Sequence, residues 1–417
     1  MKSSINSKLA INGGVPIRST PWPTYDKGNV ILDSDDKKNL IEAFDSNLLF
    51  RYDYRDLDRT PVGQFENEAK IFFKSRFALA ITSGTTGLIL SLLSVGVTSG
   101  DYVGVSSYTF SATPSAICAV GAKPLLIEVD ENLNIDINDL KEKYNNHNLK
   151  ALIVVHMRGA VADLEKIRSF CDEVSLPFIE DAVPAMGLKY RGKMVGTWGD
   201  VGVFSTQSDK SCNTGEGGLI VTNDINIFSK AVIYSGAYEN RYKKHFTGDQ
   251  LFISDLELPI LGYRMDNLRG ALGYSQLKKL DLKLLKLDEN YNYLINELKD
   301  VNEIFLRTSA NNEKVLGDSL ILRLENEPID YVSWFTEALH KEGIEAYSSR
   351  YPEENNIRFF WNWKFAFPNL SKAQISAIVP QSYRYLNQVV DIPLSPTLNT
   401  NDLDDIILAF KKIISKF

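Results

Sequence analysis

The 417-residue chain carries 44% apolar and 24% charged residues and a formal net charge of −7. That balance belongs to a globular protein with room for two or three compact units, and it excludes wholesale disorder. The negative charge argues against nucleic acid as a main partner, because phosphate binding wants a basic face, and no apolar run approaches the roughly 20 residues of a membrane-spanning helix.

Residues 1–25 read as an N-terminal arm. They contain no continuous apolar stretch followed by a small-residue cleavage site, so a cytoplasmic protein is expected. Cys118, Cys171 and Cys212 are far apart and fit neither a disulfide framework nor a zinc spacing. The four histidines form no metal signature, and His156 is expected to satisfy a local hydrogen bond, so no metal is expected.

Along the chain, 64–76 has helical spacing, 77–82 ("FALAIT") is a short buried strand, and 86–97 is helical. The alternation continues with strand 102–107, helix 111–121, strand 124–130, helix 136–145, strand 149–157, helix 163–174 and strand 176–182. Helices interleaved with near-continuously apolar strands predict an α/β unit with a mostly parallel sheet covered on both faces. Residues 26–280 are assigned to this large domain. Residues 265–300 form one long helical pattern without proline. Beyond it, strand 318–325, helix 328–343, strand 344–351 and an amphipathic helix from 400 predict a smaller α+β domain over 281–417.

Ligands of open α/β sheets gather at the carboxyl ends of strands, and four such places carry polar residues. "TSGTTG" (82–87) has the small residues and helix start that attract a phosphate, but lacks the G-K-[ST] ending of a nucleotide loop. "SSYTFSAT" (106–113) offers Phe110 to a flat ring, and "FIEDAVPAMG" ends a buried strand with Glu180 and Asp181. "VGVFSTQSDKSCNTGEGG" (201–218) sets Lys210 between Ser205 and a glycine cluster. Taken singly, each has an ordinary explanation: a capped turn, a core aromatic, a helix cap, a surface lysine. Together, in this order, they are the parts that hold pyridoxal 5′-phosphate: a phosphate cup, a stacking ring, an acid for the pyridine nitrogen and an amine for the aldehyde.

"FSTQSDKSCNTGEGGLIVTND" resembles the lysine motif of the DegT/StrS family of sugar aminotransferases, which have the fold of the type I pyridoxal-phosphate enzymes. The similarity runs from "LAINGGVPIRSTPWP" through "YRMDNLRGALGYSQLKKLD" to "DIPLSPTLNTNDLDDII". The resemblance implies that Lys210 is the Schiff-base lysine and Asp181 the partner of the pyridine nitrogen. It implies that Gly84, Thr85, Thr86 and Ser205 hold the phosphate and that Phe110 stacks on the ring. It further implies a homodimer with shared active sites that passes an amino group from glutamate or glutamine to a keto sugar, nucleotide-linked or acidic, by a ping-pong route. The segments "LLFRYDY" and "VVHMRGAVADLEKI" look more like the branch acting on acidic octulosonate sugars. Two positions depart from the family pattern. Pro184 stands where glutamine or histidine is common near the cofactor's 3′-oxygen, and Gly262 where an asparagine commonly reaches the neighbouring subunit's phosphate. Related sugar dehydratases replace the lysine with histidine, so Lys210 favours transamination. Another reaction on an amino acid or aminocyclitol, or a non-catalytic regulatory role, are the alternatives. Arg51, Arg158 and Tyr238 are candidates for substrate contact, beside the simpler expectation of ion pairs at the surface or interface for the two arginines.

Overall fold

The structure, a computed structural model, describes residues 8–23, 32–53, 56–246, 253–325, 327–353 and 356–416. Residues 1–7 and 24–25 of the expected arm lie outside the described residues, as does Tyr54 of "LLFRYDY".

The helices are α1 (Ser34–Asp45), α2 (Pro61–Phe73), α3 (Gly84–Ser94), α4 (Ala112–Ala119), α5 (Ile137–Asn146), α6 (Leu164–Glu173) and α7 (Ile225–Ser235). They continue as α8 (Asn267–Lys278), α9 (Leu280–Leu298), α10 (Ile329–Lys341), α11 (Lys372–Ser376), α12 (Pro380–Leu386) and α13 (Thr400–Ile414). The strands are β1 (Phe77–Ile81), β2 (Tyr102–Ser106), β3 (Lys123–Ile127), β4 (Leu149–Val155), β5 (Phe178–Asp181), β6 (Lys189–Tyr190) and β7 (Lys193–Met194). Beyond them run β8 (Val201–Ser205), β9 (Gly218–Thr222), β10 (Phe305–Leu306), β11 (Ser319–Arg323) and β12 (Val389–Pro393).

The main sheet has the order β1-β9-β8-β5-β4-β2-β3. Neighbours from β8 to β3 run parallel, and β9 alone in this sheet lies antiparallel, between β1 and β8. The expected α/β fold with a mostly parallel sheet is therefore present. Side chains alternate between two cores, as period-2 geometry requires: Leu79, Ile81 and Val203 face one cluster, and Ala78, Ala80 and Phe204 the other. Helix α2 starts where Thr60 caps it and Pro61 fixes the first turn, and it buries Phe65, Ala69 and Phe73 on one face. Burying a phenylalanine of this kind stabilises by roughly 1.5–3 kcal/mol. Phe73 stacks on Phe204 of β8 with centroids 4.3 Å apart. Helix α8 packs on α2 because Gly270 has no side chain there; a Cβ would lie 2.5 Å from the Val62 nitrogen.

Two expectations need correction. The long helical pattern over 265–300 is broken at Lys279, where the chain turns from α8 into α9. Lys279 Nζ donates to Asp36 Oδ2 on α1 at 3.0 Å, and this long-range ion pair is absent from local periodicity. The expected strand 344–351 is not one. Tyr347 makes an isolated bridge to Asp391, and the chain then turns so that the Ser348 amide donates to the Tyr351 carbonyl. The place beside β11 is taken instead by β12, at the edge of a sheet with the order β10-β11-β12. This second sheet shares a core with α9, α10 and α13, through Leu294, Phe335, Ile406 and Phe410. Residues Phe360, Trp361, Trp363 and Leu386 pack into the cluster on one face of the main sheet. Among the described residues no helix is long and apolar enough to cross a membrane, and no group of three or more His, Cys, Asp or Glu side chains could hold a metal.

Candidate active site

At the carboxyl ends of β4, β5 and β8 lies a cavity of about 430 Å³. Gly84, Thr85, Phe110, Asp181, Ser205 and Lys210 all line it, together with Arg158 and Pro184. A cavity of about 570 Å³ between α11, α12 and the start of α10 is larger but holds none of these residues.

Each wall has a local cause. Helix α3 begins at Gly84, with Ser83 as N-cap; the Ser83 hydroxyl accepts from the Thr86 amide, and the Thr86 hydroxyl accepts from the Ser83 amide. Thr86 is thus used in the cap and does not line the cavity. The Gly84 and Thr85 amides are left at the positive end of the helix. A Cβ on Gly84 would lie 3.0 Å from the Ser205 Cβ and 3.3 Å from Val183 Cγ2, so glycine allows the helix start to sit this close to the end of β8.

Lys210 sits on the loop between antiparallel β8 and β9. The Thr206 amide donates to the Gly217 carbonyl at 2.9 Å, the Thr214 amide to the Thr206 carbonyl at 2.8 Å, and the Ser208 amide to the Gly215 carbonyl at 3.0 Å. Two glycines of "TGEGG" are required for that closure: Gly215 has φ +78°, and a Cβ on Gly217 would fall 2.3 Å from Thr206 Oγ1. The lysine is half-buried, and its Nζ donates to Asp209 Oδ2 at 3.0 Å.

Asp181 ends β5 and is buried. The Thr113 hydroxyl donates to its Oδ2 at 2.8 Å, and the Val183 amide reaches its Oδ1 at 3.4 Å. Burial pushes the carboxyl above its usual range, against the pull of these two donors and of the charges of His156 and Lys210. A carboxylate in this position is short of a cation. Its neighbour Glu180 is satisfied internally: the Gly196 and Gly199 amides donate to it at 2.7 and 2.6 Å, and His156 Nε2 lies 3.3 Å away. His156 is buried in that local network, with the Ala162 amide 3.4 Å from its Nδ1.

The substrate candidates fare differently. Arg158 lines the cavity, with Nε 2.9 Å from Asp391 Oδ2. Arg51 does not; it is 1% exposed, and its Nη2 donates to both carboxylate oxygens of Glu66 at 2.9 Å. That buried pair makes it a core residue, which corrects its expected contact with substrate. Tyr238 also lies outside the cavity, with the guanidinium groups of Arg241 and Arg264 over its ring at 4.6 and 5.3 Å. Gly262 is on an exposed loop with φ +77° and nothing within 4 Å of a Cβ. Phe110 is 47% exposed, a large apolar face left open on the cavity. Arg358 and Asp318 line it as well. Both come from the C-terminal third, outside the strand ends where polar residues were sought.

A profile of the DegT/DnrJ/EryC1/StrS aminotransferase family matches residues 32–411. The chain belongs to that family. As a member it is an aminotransferase that works with pyridoxal 5′-phosphate. GDP-perosamine synthase of Vibrio cholerae is 28% identical over 400 residues, covering 93% of this chain and 98% of that protein. The crystal structure of 3-amino-5-hydroxybenzoic acid synthase superposes with TM-score 0.79 at 20% identity over 96% of this chain and 100% of that one. The structure of GDP-4-keto-6-deoxy-D-mannose-3-dehydratase from E. coli, with bound hydrated pyridoxal phosphate, gives 0.75 at 21% identity over 93% and 99%. The fold is accordingly that of the type I pyridoxal-phosphate enzymes. The cavity suits the cofactor on its own terms: a buried acid short of a cation, an open aromatic face, a helix start for a phosphate and a primary amine all meet there.

Proposed function

We propose that this chain is a cytoplasmic sugar aminotransferase that moves an amino group from glutamate or glutamine to a keto sugar, nucleotide-linked or acidic. The observation that carries this reading is that Lys210 and Asp181, 29 positions apart in the sequence, open on one cavity with Phe110 and the start of α3. In this reading Gly84, Thr85 and Ser205 would hold the phosphate of pyridoxal phosphate, Phe110 would lie against its ring, and Asp181 would accept from its ring nitrogen. When bound, the cofactor supplies an electron sink that lets an amino group leave one substrate and join the other. Asp181 keeps its negative charge beside that nitrogen, and Thr113 holds the carboxylate in place. Lys210 Nζ removes the proton from the donor's α-carbon and later delivers one to the acceptor's carbon. Asp209 holds the amine when it is not engaged.

Pro184 contributes no side-chain hydrogen bond to this cavity, so the phosphate, ring and nitrogen contacts carry cofactor affinity. We further propose a homodimer. Leu48, Leu49, Ile260 and Leu261 are exposed, and Asn267 ties the first two to the start of α8, donating from Nδ2 to the Leu48 carbonyl at 2.7 Å and from its backbone amide to the Leu49 carbonyl at 2.9 Å. An apolar set of this kind is suited to burial against a second copy.

The test is a half-reaction. Purified protein loaded with the cofactor and mixed with glutamate is expected to release 2-oxoglutarate and to lose its visible absorption band, and a keto sugar is expected to restore the band. Failure with glutamate and glutamine alike would exclude the proposed donor chemistry. Sedimentation of the same sample at micromolar concentration reports the dimer.

A further inference from the structure

Arg158 and Arg358 are cationic side chains of this cavity that the transfer described above leaves unused, and of the two Arg158 is paired with Asp391. The place of Arg358 is set by the backbone: the next residue, Phe359, bridges to Tyr108 just beyond the end of β2. Phe359 and Phe360 are buried, Phe359 stacks on Trp361 with centroids 4.9 Å apart, and the Arg358 amide donates to Asn356 Oδ1 at 2.9 Å. This anchored stretch brings a guanidinium to the cavity that holds Lys210, Asp181 and Phe110.

The other cations of the cavity are matched. Lys210 meets Asp209 at 3.0 Å, and Arg158 meets Asp391 at 2.5 Å. Arg307, buried close by, donates to the carbonyls of Asn132, Met157 and Leu133 at 2.6, 2.6 and 3.1 Å. Arg358 forms no ion pair with any of the described residues. The buried Tyr108 phenol lies in the field of Arg158, Arg307 and Arg358 as well as that of Asp391. A half-buried guanidinium that opens on a cavity without an ion pair among the described residues suits a planar or tetrahedral oxyanion, which it can grip with two parallel N–H donors.

We propose that Arg358 binds an oxyanion of the substrate, a carboxylate or phosphoryl group, and so selects anionic substrates for the transfer. The inference rests on the reading that donor and acceptor turn over in this cavity. The anion has two sources, the donor's carboxylate or a charged group on the acceptor, and the test separates them.

The experiment uses the cofactor-loaded wild type, R358M and R358K. All three are expected to keep the visible absorption band, because Arg358 is not part of the cofactor's wall; a variant that retains the band is folded around its cofactor. Binding of inorganic phosphate, read by calorimetry without turnover, is expected to weaken at least about tenfold in R358M and partly recover in R358K. The donor half-reaction is then followed against glutamate concentration. A half-saturating concentration raised at least about tenfold, with a smaller change in maximal rate, assigns the anion to the donor. Weakened phosphate with unchanged glutamate assigns it to the acceptor. Equal phosphate binding and equal glutamate saturation in wild type and R358M overturn the proposal. A wild type that binds phosphate through Arg358 yet reacts with no amino donor leaves this site standing and defeats the aminotransferase reading instead.

Discussion

The Thr113 hydroxyl donates to Asp181 Oδ2 at 2.8 Å, joining the first turn of α4 to the end of β5 beneath the cavity. With no cofactor cation beside it, the buried carboxyl is raised above its unfolded value, and burial is the largest cause. The folded protein then holds more protons than the unfolded chain between the two pKa values. Stability falls as pH climbs through that window, and the full penalty remains above it. Asp181→Asn removes this charge at nearly constant shape. The cofactor-free variant is expected to be more stable than wild type at neutral pH, on the order of 1 kcal/mol, and the gap should close on acidification below the folded pKa. The loaded variant should lose about 100-fold or more in kcat, because the developing charge has lost its fixed partner. Paired thermal melts with and without cofactor across pH, together with steady-state rates, check both halves. A cofactor-free Asp181→Asn protein less stable than wild type at neutral pH would show that burial does not govern this carboxyl.

Lys210→Ala tests the amine. The Thr206–Gly217 and Thr214–Thr206 backbone bonds that shape its loop do not involve the side chain, so the fold should persist. The variant is expected to lose the visible absorption band of the lysine-linked cofactor and about 10²–10⁴ in rate. Addition of small primary amines is expected to return part of the activity. Retention of the band in this variant rules out position 210 as the point of attachment.

How far these residues could be read from the sequence depended on range. The sheet was legible because its strands are buried on both faces and show as apolar runs, as "FALAI" and "LIVV" do. The strand-end motifs were legible for the same reason, since each follows such a run. Thr113 stood inside a quoted motif, but its acceptor lies 68 positions away, and only the fold, which brings the start of α4 to the end of β5, reveals it. Arg51 stood as a candidate for substrate contact because its buried partner, Glu66, lies 15 positions away on α2 and no local pattern pairs the two. The break at Lys279 and the strand β12 were missed because both are decided by tertiary partners, Asp36 and β11, and not by local pattern. Arg358 reaches the cavity through the bridge of its neighbour to Tyr108, a contact that no nearby motif announces.

Gly84→Ala probes the helix start. The added methyl would meet the Ser205 Cβ at 3.0 Å and Val183 Cγ2 at 3.3 Å, so α3 must retreat by a few tenths of an ångström from the end of β8. Crowding of this kind costs typically about 1–3 kcal/mol. Here the displaced element presents the Gly84 and Thr85 amides, so the loss should show as weaker cofactor affinity, about tenfold, more than as reduced stability of the cofactor-free protein. Equilibrium dialysis against pyridoxal phosphate, with a melt of the cofactor-free variant, separates the two. Unchanged affinity in a folded variant would remove the start of α3 from the phosphate site.

Arg51 and Glu66 form a buried pair in which both carboxylate oxygens accept from Nη2, and the Ala80 amide of β1 donates to Glu66 Oε1 at 2.7 Å. Removing one partner strands the other charge in the core, at a cost of about 3–5 kcal/mol, whereas replacing both by apolar residues is often neutral or better. Arg51→Ala is therefore expected to lower the urea midpoint sharply, and Arg51→Met with Glu66→Leu to recover most of it, less the bond to Ala80. Because Arg51 lies outside the cavity, the half-saturating glutamate concentration of whatever folded Arg51→Ala remains should match wild type. A rise of tenfold in that concentration, with stability intact, would return Arg51 to the substrate site and contradict the burial that places it in the core.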